Sequence, residues 1–340
     1  MNGTKMAAEM AEQPEVLARL IARRAEILPR LREAAPSRPA GVVLVARGSS
    51  DHAAVFGRYV LEAACGRPVA LAAPSLQTLY GVRVDYRGYL AVAVSQSGRT
   101  PEIVAVLRAA REAGARTVAI TNDAESPLAR VAEAVVDLGA GEERAVPATK
   151  TFTAQVAAFA ILAEALGRVP WSEEEWDRLP ALVEEVLSDP EPGRAVASAI
   201  GDAPGLITVG RGYLYAIALE AALKLKETAG IMAQGYSAAD LRHGPLTVVE
   251  LGLPVVCFVA RGPAEADMNG LIGTLRGREA RVFLVAQDPA AELPVPPGSQ
   301  EPLVAIPMAV RAQQVAHALA LRRGLDPDAP PGLSKITLTT

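Results

Sequence analysis

Glu220, Lys224 and Glu227 stand at i, i+4 and i+7 in the run Glu220-Ala221-Ala222-Leu223-Lys224-Leu225-Lys226-Glu227. On a helix turning ~100° per residue, Lys224 falls about 40° from Glu220, and Glu227 about 20° to the other side. The three share one narrow face, and Lys226 points elsewhere. Such a stripe is ordinarily a solvated salt-bridge face. Here Ala, Leu and Ile fill nearly every other face, which marks a buried helix whose charges line a cleft. A carboxylate in such a cleft is suited to proton transfer.

Two further groups could join that chemistry. His243 precedes Gly244-Pro245 and so cannot lie in the middle of a helix. The expectation is an exposed turn histidine, placed where it could meet a ligand. His52 and His317 read as incidental, the first opening a helix and the second within an amphipathic C-terminal one. Lys335 sits in a tail, Leu333-Ser334-Lys335-Ile336-Thr337-Leu338, that alternates apolar residues where a frayed terminus would be polar. The alternation predicts a docked tail. A lysine in a partly apolar cleft has a lowered amine pKa and can act as base or imine-forming nucleophile.

A different chemistry is written at Ala91-Val92-Ala93-Val94-Ser95-Gln96-Ser97-Gly98-Arg99-Thr100-Pro101-Glu102. The apolar run predicts a strand buried on both faces. Thr100 is the expected N-cap, Pro101 the first helical residue and Glu102 part of the first turn. A strand running through a Ser/Gly loop into a helix N-terminus gathers backbone N–H donors, which suits an anion such as phosphate.

The elements that must position these groups alternate. Residues 5–35 read as one or two Ala-rich helices. Val42–Val45 is a second buried-strand run, followed by Arg47-Gly48-Ser49-Ser50-Asp51 and a helix from Ala53 to Cys65. Strands follow at Val69–Ala72, Thr117–Ile120 and Val135–Leu138. Ala148-Thr149-Lys150-Thr151 then leads into a long apolar helix, Phe152–Leu166. Such alternation implies a parallel sheet covered on both faces. After a connecting segment it begins again. Leu206-Ile207-Thr208-Val209-Gly210-Arg211-Gly212 echoes Leu44-Val45-Ala46-Arg47-Gly48, and Val255–Gly262 takes the place of the Ser95 run. Val45 to Val94 spans 49 residues and Val209 to Val259 spans 50, so the chain carries a repeat. The second copy lacks Ser-Gln-Ser, so only the first is equipped for phosphate. A dinucleotide fingerprint is excluded, because no third glycine follows at the required offset.

Composition narrows the classes. The chain has 340 residues, a net charge of −4 and scattered basic residues, which argues against a nucleic-acid groove or a membrane surface. No apolar span reaches 18 residues, and two cysteines point to a reduced, cytoplasmic protein. Three histidines and no Cys/His cluster leave no metal-ligand spacing, and no cofactor or metal is expected.

Taken in order, these residues resemble a known family. Glu12-Gln13-Pro14, Arg47-Gly48-Ser49-Ser50, Ser95-Gln96-Ser97-Gly98-x-Thr100, Thr121-Asn122 with Ser126-Pro127-Leu128, Ala148–Thr153, Ala218–Glu227, His243-Gly244-Pro245 and Leu333-Ser334-Lys335 are similar to the isomerase half of glucosamine-6-phosphate synthase. That half is a tandem of two sugar isomerase (SIS) domains. The resemblance implies an α/β fold: two tandem SIS domains, each a parallel sheet flanked by helices in three αβα layers, with an N-terminal helix and a docked C-terminal tail. The corresponding division is 1–40 helical, 41–166 first SIS domain, 167–195 connection, 196–325 second SIS domain and 326–340 tail.

By position, the resemblance implies that Ser95, Gln96, Ser97 and Thr100 hold a sugar 6-phosphate. Gly48, Ser49, Ser50 and the Val146–Ala148 backbone would meet the sugar. Glu227 would shuttle the proton between C1 and C2, His243 would open the pyranose ring, and Lys335 would approach the carbonyl carbon. Glu220 and Lys224 would support that site. A homodimer with composite sites is implied, since the family's ring-opening histidine reaches the neighbouring subunit's site. Two departures matter. No segment of this sequence resembles the glutaminase half, and Ala148 stands where the synthase usually has serine, so glutamine-dependent synthesis is not expected. The expected activity is glucosamine-6-phosphate deamination: isomerisation to the fructose imine, then loss of ammonia to water. The same residues would serve an aldose–ketose isomerase or a fructosamine-6-phosphate deglycase. A non-catalytic phosphosugar sensor is the reading of another class; retention of Glu227, His243 and Lys335 argues against it.

Overall fold

The computed structural model describes residues 2–335. Three helices open the chain, α1 (Thr4–Ala11), α2 (Gln13–Ala22) and α3 (Arg24–Ala34), where the sequence reading expects one or two. The breaks fall at Glu12 (φ −77°, ψ −12°) and Arg23 (φ −86°, ψ 0°). Pro14, the second residue of α2, marks the first break as a proline at a helix start does, whereas Arg23 keeps near-helical angles and leaves no Gly or Pro signature in the sequence. There follow β1 (Gly41–Val45), α4 (Ser49–Cys65), β2 (Val69–Leu71), α5 (Pro74–Thr78), β3 (Tyr89–Ser95), α6 (Pro101–Glu112), β4 (Arg116–Thr121), α7 (Pro127–Val131), β5 (Ala134–Asp137) and α8 (Lys150–Leu166). The second series is α9 (Glu173–Ser188), α10 (Glu191–Ile200), β6 (Gly205–Gly210), α11 (Leu214–Ala229), β7 (Met232–Ser237), α12 (Ala238–Arg242), a 3₁₀ turn (Pro245–Val248), β8 (Pro254–Val259), α13 (Glu265–Gly277), β9 (Arg281–Ala286), β10 (Leu293–Pro294) and α14 (Glu301–Arg322).

Two compact units form. In the first, Glu15–Glu143 with Lys150–Pro170, five parallel strands run in the order β2-β1-β3-β4-β5. Val43 pairs with Ala91 and Ala93 with Ala119, and β1 is buried along its whole length. One face of the sheet packs Val43, Val45, Ala91 and Ala93 against Ile103, Leu107 and Ala110 of α6 and Leu128 of α7. Small alanines on β3 let α6 approach closely, which the low aromatic content foreshadows.

In the second unit, Met1–Pro14 with Arg144–Thr149 and Trp171–Lys335, the order is β10-β9-β8-β6-β7, again all parallel. The Thr208 hydroxyl donates to the Ala218 carbonyl (2.6 Å), pinning α11 to β6. The helix expected to be amphipathic around His317 is instead buried on nearly every face. Its Arg311 is buried too, and satisfies its guanidinium on the carbonyls of Asp189 (2.6 Å) and Pro294 (2.7 Å) and on Gln314 Oε1 (2.8 Å). Desolvation lowers its pKa, with Asp189 opposing.

Candidate functional site

Each unit assembles one group of the residues singled out by sequence. In the first, β3 ends at Ser95, and the loop Gln96–Thr100 enters α6 with Thr100 extended (φ −67°, ψ 114°) at the N-cap. The Thr100 hydroxyl makes no capping bond. Ser95 Oγ accepts from the Gly98 N–H (3.2 Å) and Ser97 Oγ from the Arg99 N–H (3.3 Å), so the loop curls upon itself. Gly98 (φ 62°) is required twice, by its left-handed backbone and by its closeness to Ser126, whose hydroxyl any Cβ would strike. Its carbonyl accepts from the Leu128 N–H (3.1 Å), and the Gln96 carbonyl from the Asn122 N–H (3.1 Å). The loop is therefore fixed by β4–α7 neighbours, leaving a helix N-terminus and hydroxyls as an anion cradle.

The Arg47–Asp51 segment leaves β1 beside it. Strand order reverses between β1 and β3, the place where open parallel sheets take ligands. Arg47 forks onto Glu102 of α6 (3.0 and 3.1 Å), tying the two loops together. Gly48 (φ 59°) precedes α4, with nothing within 4 Å of where a Cβ would be. Ser50 Oγ accepts from Gln155 Nε2 of α8 (3.0 Å), and Gln155 is 1% exposed. Asp51 has its pKa raised by burial, against the charges of His52 and Arg47. Glu102 and Gln155 lay outside the sequence reading. The sequence marks Glu102 only as a first-turn acid, and no local pattern names a partner 55 residues away. Glu143 is a third omission: it accepts from the Thr151 N–H (3.1 Å) and hydroxyl (2.7 Å) at the start of α8.

In the second unit, α11 carries the Glu220, Lys224 and Glu227 face. Lys224 is 1% and Glu220 2% exposed. Lys224 Nζ lies 3.4 Å from Glu220 Oε1 and hydrogen-bonds Glu227 Oε2, while the Glu227 side chain keeps 20% exposure. Burial alone would lower the Lys224 pKa. The charges of Glu220 and Glu227 outweigh it and hold the amine above its ordinary value. The stripe is therefore a buried ion triad that opens to solvent only at Glu227, whose carboxylate can exchange a proton with a small molecule.

His243 is exposed just after α12, where its N–H donates to the Asp240 carbonyl (3.1 Å). Arg242 anchors that turn on the Asp267 carbonyl (2.7 Å) and Oδ1 (2.8 Å). The His243 side chain makes no hydrogen bond or ion pair among the described residues.

Lys335 Nζ donates to the Ala145 carbonyl (2.6 Å), which sets the amine over the segment that contains Val146 and Ala148. That segment is held in turn. Glu9 accepts from the N–H groups of Arg144 and Ala145 (3.2 Å for the latter), and the Val146 N–H donates to the Asp328 carbonyl (3.0 Å). The Asp328 carboxylate accepts from the Lys5 N–H (3.0 Å) and Met6 N–H (2.8 Å). Among the described residues the tail docks through polar groups. Leu333 is 48% exposed, and polar groups of Asp328 and Lys335 make the attachment. Ile336 and Leu338, the other apolar residues of the expected docking, lie outside the described residues. Among the described residues no helix is long and apolar enough to cross a membrane.

Known proteins resemble this chain in sequence and fold. The family profile for the SIS domain matches residues 38–165 and 200–294. The glutamine–fructose-6-phosphate aminotransferase of Gloeobacter violaceus is 36% identical over 312 residues, and that of Methanothermobacter thermautotrophicus 34% over 305, each match covering 86% of this chain. The chain spans about half the length of these curated relatives, 51% in both cases. A crystal structure from Silicibacter pomeroyi, provisionally named a phosphosugar isomerase, is 36% identical with a TM-score of 0.83, covering 96% of this chain and 100% of that one. The C-terminal domain of glucosamine-fructose-6-phosphate aminotransferase from Francisella tularensis gives a TM-score of 0.86 at 26% identity, covering 96% and 98%.

Proposed function

The chain belongs to the SIS-domain family, and from that premise we propose that it is an amino-sugar-6-phosphate deaminase/isomerase. The reaction is glucosamine 6-phosphate plus water giving fructose 6-phosphate plus ammonia. The Ser95–Thr100 loop takes the phosphate through its hydroxyls and helix N-terminus. Gly48, Ser49, Ser50 and the Val146–Ala148 backbone meet the sugar. His243 moves the proton that opens the ring. Glu227 removes the C2 proton of the open-chain sugar and returns it at C1, while a second proton passes from the amino nitrogen to O1, so that the aldehyde and its 2-amino group become a 2-imine with a C1 alcohol. Water then adds at C2 and ammonia leaves. Lys335 places a cation, or an imine linkage, at the carbonyl, and Glu220 and Lys224 hold Glu227 in place. The working unit is a homodimer, which light scattering at the monomer mass would contradict.

One observation carries this reading: a buried lysine and a buried glutamate hold a third, partly exposed carboxylate on the same helix face. A purely structural ion pair has no need of the third group at the surface. Incubation with a panel of 6-phosphosugars, with and without a 2-amino group, tests it by following ammonia and ketose together. Ketose without ammonia, from substrates lacking the amino group, would identify an aldose–ketose isomerase. Turnover of fructosamine 6-phosphates alone would identify a deglycase. No turnover of any of them, with binding intact, would identify a sensor.

A further inference from the structure

The second sheet repeats the topology of the first, and its strand order reverses between β6 and β8. That reversal is filled from within. Glu301, the first residue of α14 and 7% exposed, lays its carboxyl over the loops that leave those two strands. A Cβ on Gly262 would stand 2.5 Å from Glu301 Oε2, and one on Gly212 would stand 3.4 Å from Oε1. Open space lies one strand further along, where β8 and β9 end. A cavity of about 430 Å³ there is lined by Glu175, Arg261, Gln287, Ser299 and the neighbouring loop residues. That volume suits a hexose-phosphate-sized molecule.

The uncommitted groups around this cavity share one character. Arg261 is exposed and has no hydrogen-bond or ion-pair partner among the described residues. Arg178 has none either, and its guanidinium lies over the cavity wall, with Nη2 2.6 Å from where a Gly298 Cβ would be. Ser299 Oγ is buried without a hydrogen-bond partner. The one carboxylate in the lining is already engaged: Glu175 accepts from the Ser172 N–H (3.0 Å) and the Gln300 N–H (2.6 Å). Gln287 Nε2 donates to the Ser299 carbonyl (3.1 Å), which stiffens the loop bearing the unpartnered hydroxyl. Two exposed guanidinium groups without protein partners stand beside a buried hydroxyl that has none, a donor set that suits an anion carrying further hydrogen-bonding groups.

We propose that this cavity is a second ligand site, separate from the Ser95 loop, for a small hydroxylated phosphate monoester. Arg261 and Arg178 take the phosphate, and Ser299 bonds a ligand oxygen. The pseudo-repeat thus carries two sites of similar chemistry, displaced by one strand because Glu301 occupies the equivalent crevice in the second copy.

Calorimetric titration with glucosamine 6-phosphate tests the proposal on four forms, each also carrying Glu227→Gln so that binding is read without turnover: no further change, Ser97→Ala/Thr100→Ala, Arg178→Ala/Arg261→Ala, and the combination, each checked for unchanged circular dichroism. The Ser97→Ala/Thr100→Ala protein should retain one binding event per chain. Adding Arg178→Ala and Arg261→Ala should weaken that event about tenfold or more. Inorganic phosphate should compete for it, and uncharged fructose should not. Arginine substitutions that leave the titration unchanged, or equal competition by fructose, would overturn the site. Failure of the Ser95 loop to bind would show separately, as an effect of the arginine pair with none from Ser97→Ala/Thr100→Ala.

Discussion

Lys224, buried on α11, hydrogen-bonds Glu227 one turn further along the same helix. Glu220, one turn back at 3.4 Å, is as deeply buried as the lysine itself. Removing the amine therefore strands a buried carboxylate. Lys224→Met should cost roughly 3–5 kcal/mol of stability, the usual consequence of breaking a buried pair from one side. Lys224→Met with Glu220→Gln should recover most of that loss while leaving turnover impaired. Urea denaturation of the single and double variants checks this. A double variant as unstable as the single would mean that the amine is structural through its packing alone.

The phosphate loop makes a separate demand. Ser97→Ala and Thr100→Ala should each raise KM for a 6-phosphosugar roughly 10- to 100-fold, as expected for loss of one charge-assisted bond. Folding should be little affected, because the Thr100 hydroxyl makes no capping bond and the Ser97 hydroxyl accepts only an exposed bond from the Arg99 N–H (3.3 Å). Equal KM values for variant and parent would remove the phosphate role from this loop.

Glu301 predicts a pH effect on stability. Burial pushes its carboxyl up from 4.5 to about 7, and burial together with the charge of Glu301 raises the neighbouring Tyr213. The folded state thus holds a proton that the unfolded state releases near pH 4.5. Stability contributed by this group is lost as pH rises from about 4.5 to 7, by roughly 1–3 kcal/mol at about 1.4 kcal/mol per unit. Glu301→Gln should flatten the profile over that window. Parallel profiles for parent and variant would show that Glu301 ionises in place at no cost.

Much of this was legible in the sequence, for a physical reason. The β3 run and its Ser-Gln-Ser-Gly ending are local signals, and the α11 face follows from helical period alone. The 49- and 50-residue spacings exposed the second sheet. What escaped depends on which distant residue stands opposite. Arg47 and Glu102 are 55 positions apart, Ser50 and Gln155 105, and Met6 and Asp328 322. Periodicity reports that a face is apolar and not what covers it. Hence α14 read as amphipathic around its polar residues, although Arg311 and Gln314 are buried and satisfied by each other and by backbone carbonyls. In the tail, likewise, Asp328 accepts from the Lys5 and Met6 N–H groups more than 300 positions away, a pairing no local pattern announces.

Lys335 has two separable roles. Lys335→Ala should reduce turnover by orders of magnitude with the fold intact, since Asp328 still anchors the tail. Lys335→Arg keeps the cation and forbids the imine, because a guanidinium stays protonated. Borohydride in the presence of substrate should add one sugar phosphate at Lys335 if the imine forms. Activity retained in Lys335→Arg would leave only the charge, and activity retained in Lys335→Ala would remove the tail from the site.

The most direct measurement is ammonia and ketose release from glucosamine 6-phosphate by the parent and by Glu227→Gln, run in deuterated water with NMR detection at C1. The parent should release both products in equal amounts, with solvent deuterium at C1 of the product wherever the shuttled proton exchanges on Glu227. Glu227→Gln should retain phosphosugar binding and lose turnover by several orders of magnitude. A Glu227→Gln protein that releases ammonia at the parental rate would contradict the assignment of Glu227 as the C1–C2 proton shuttle.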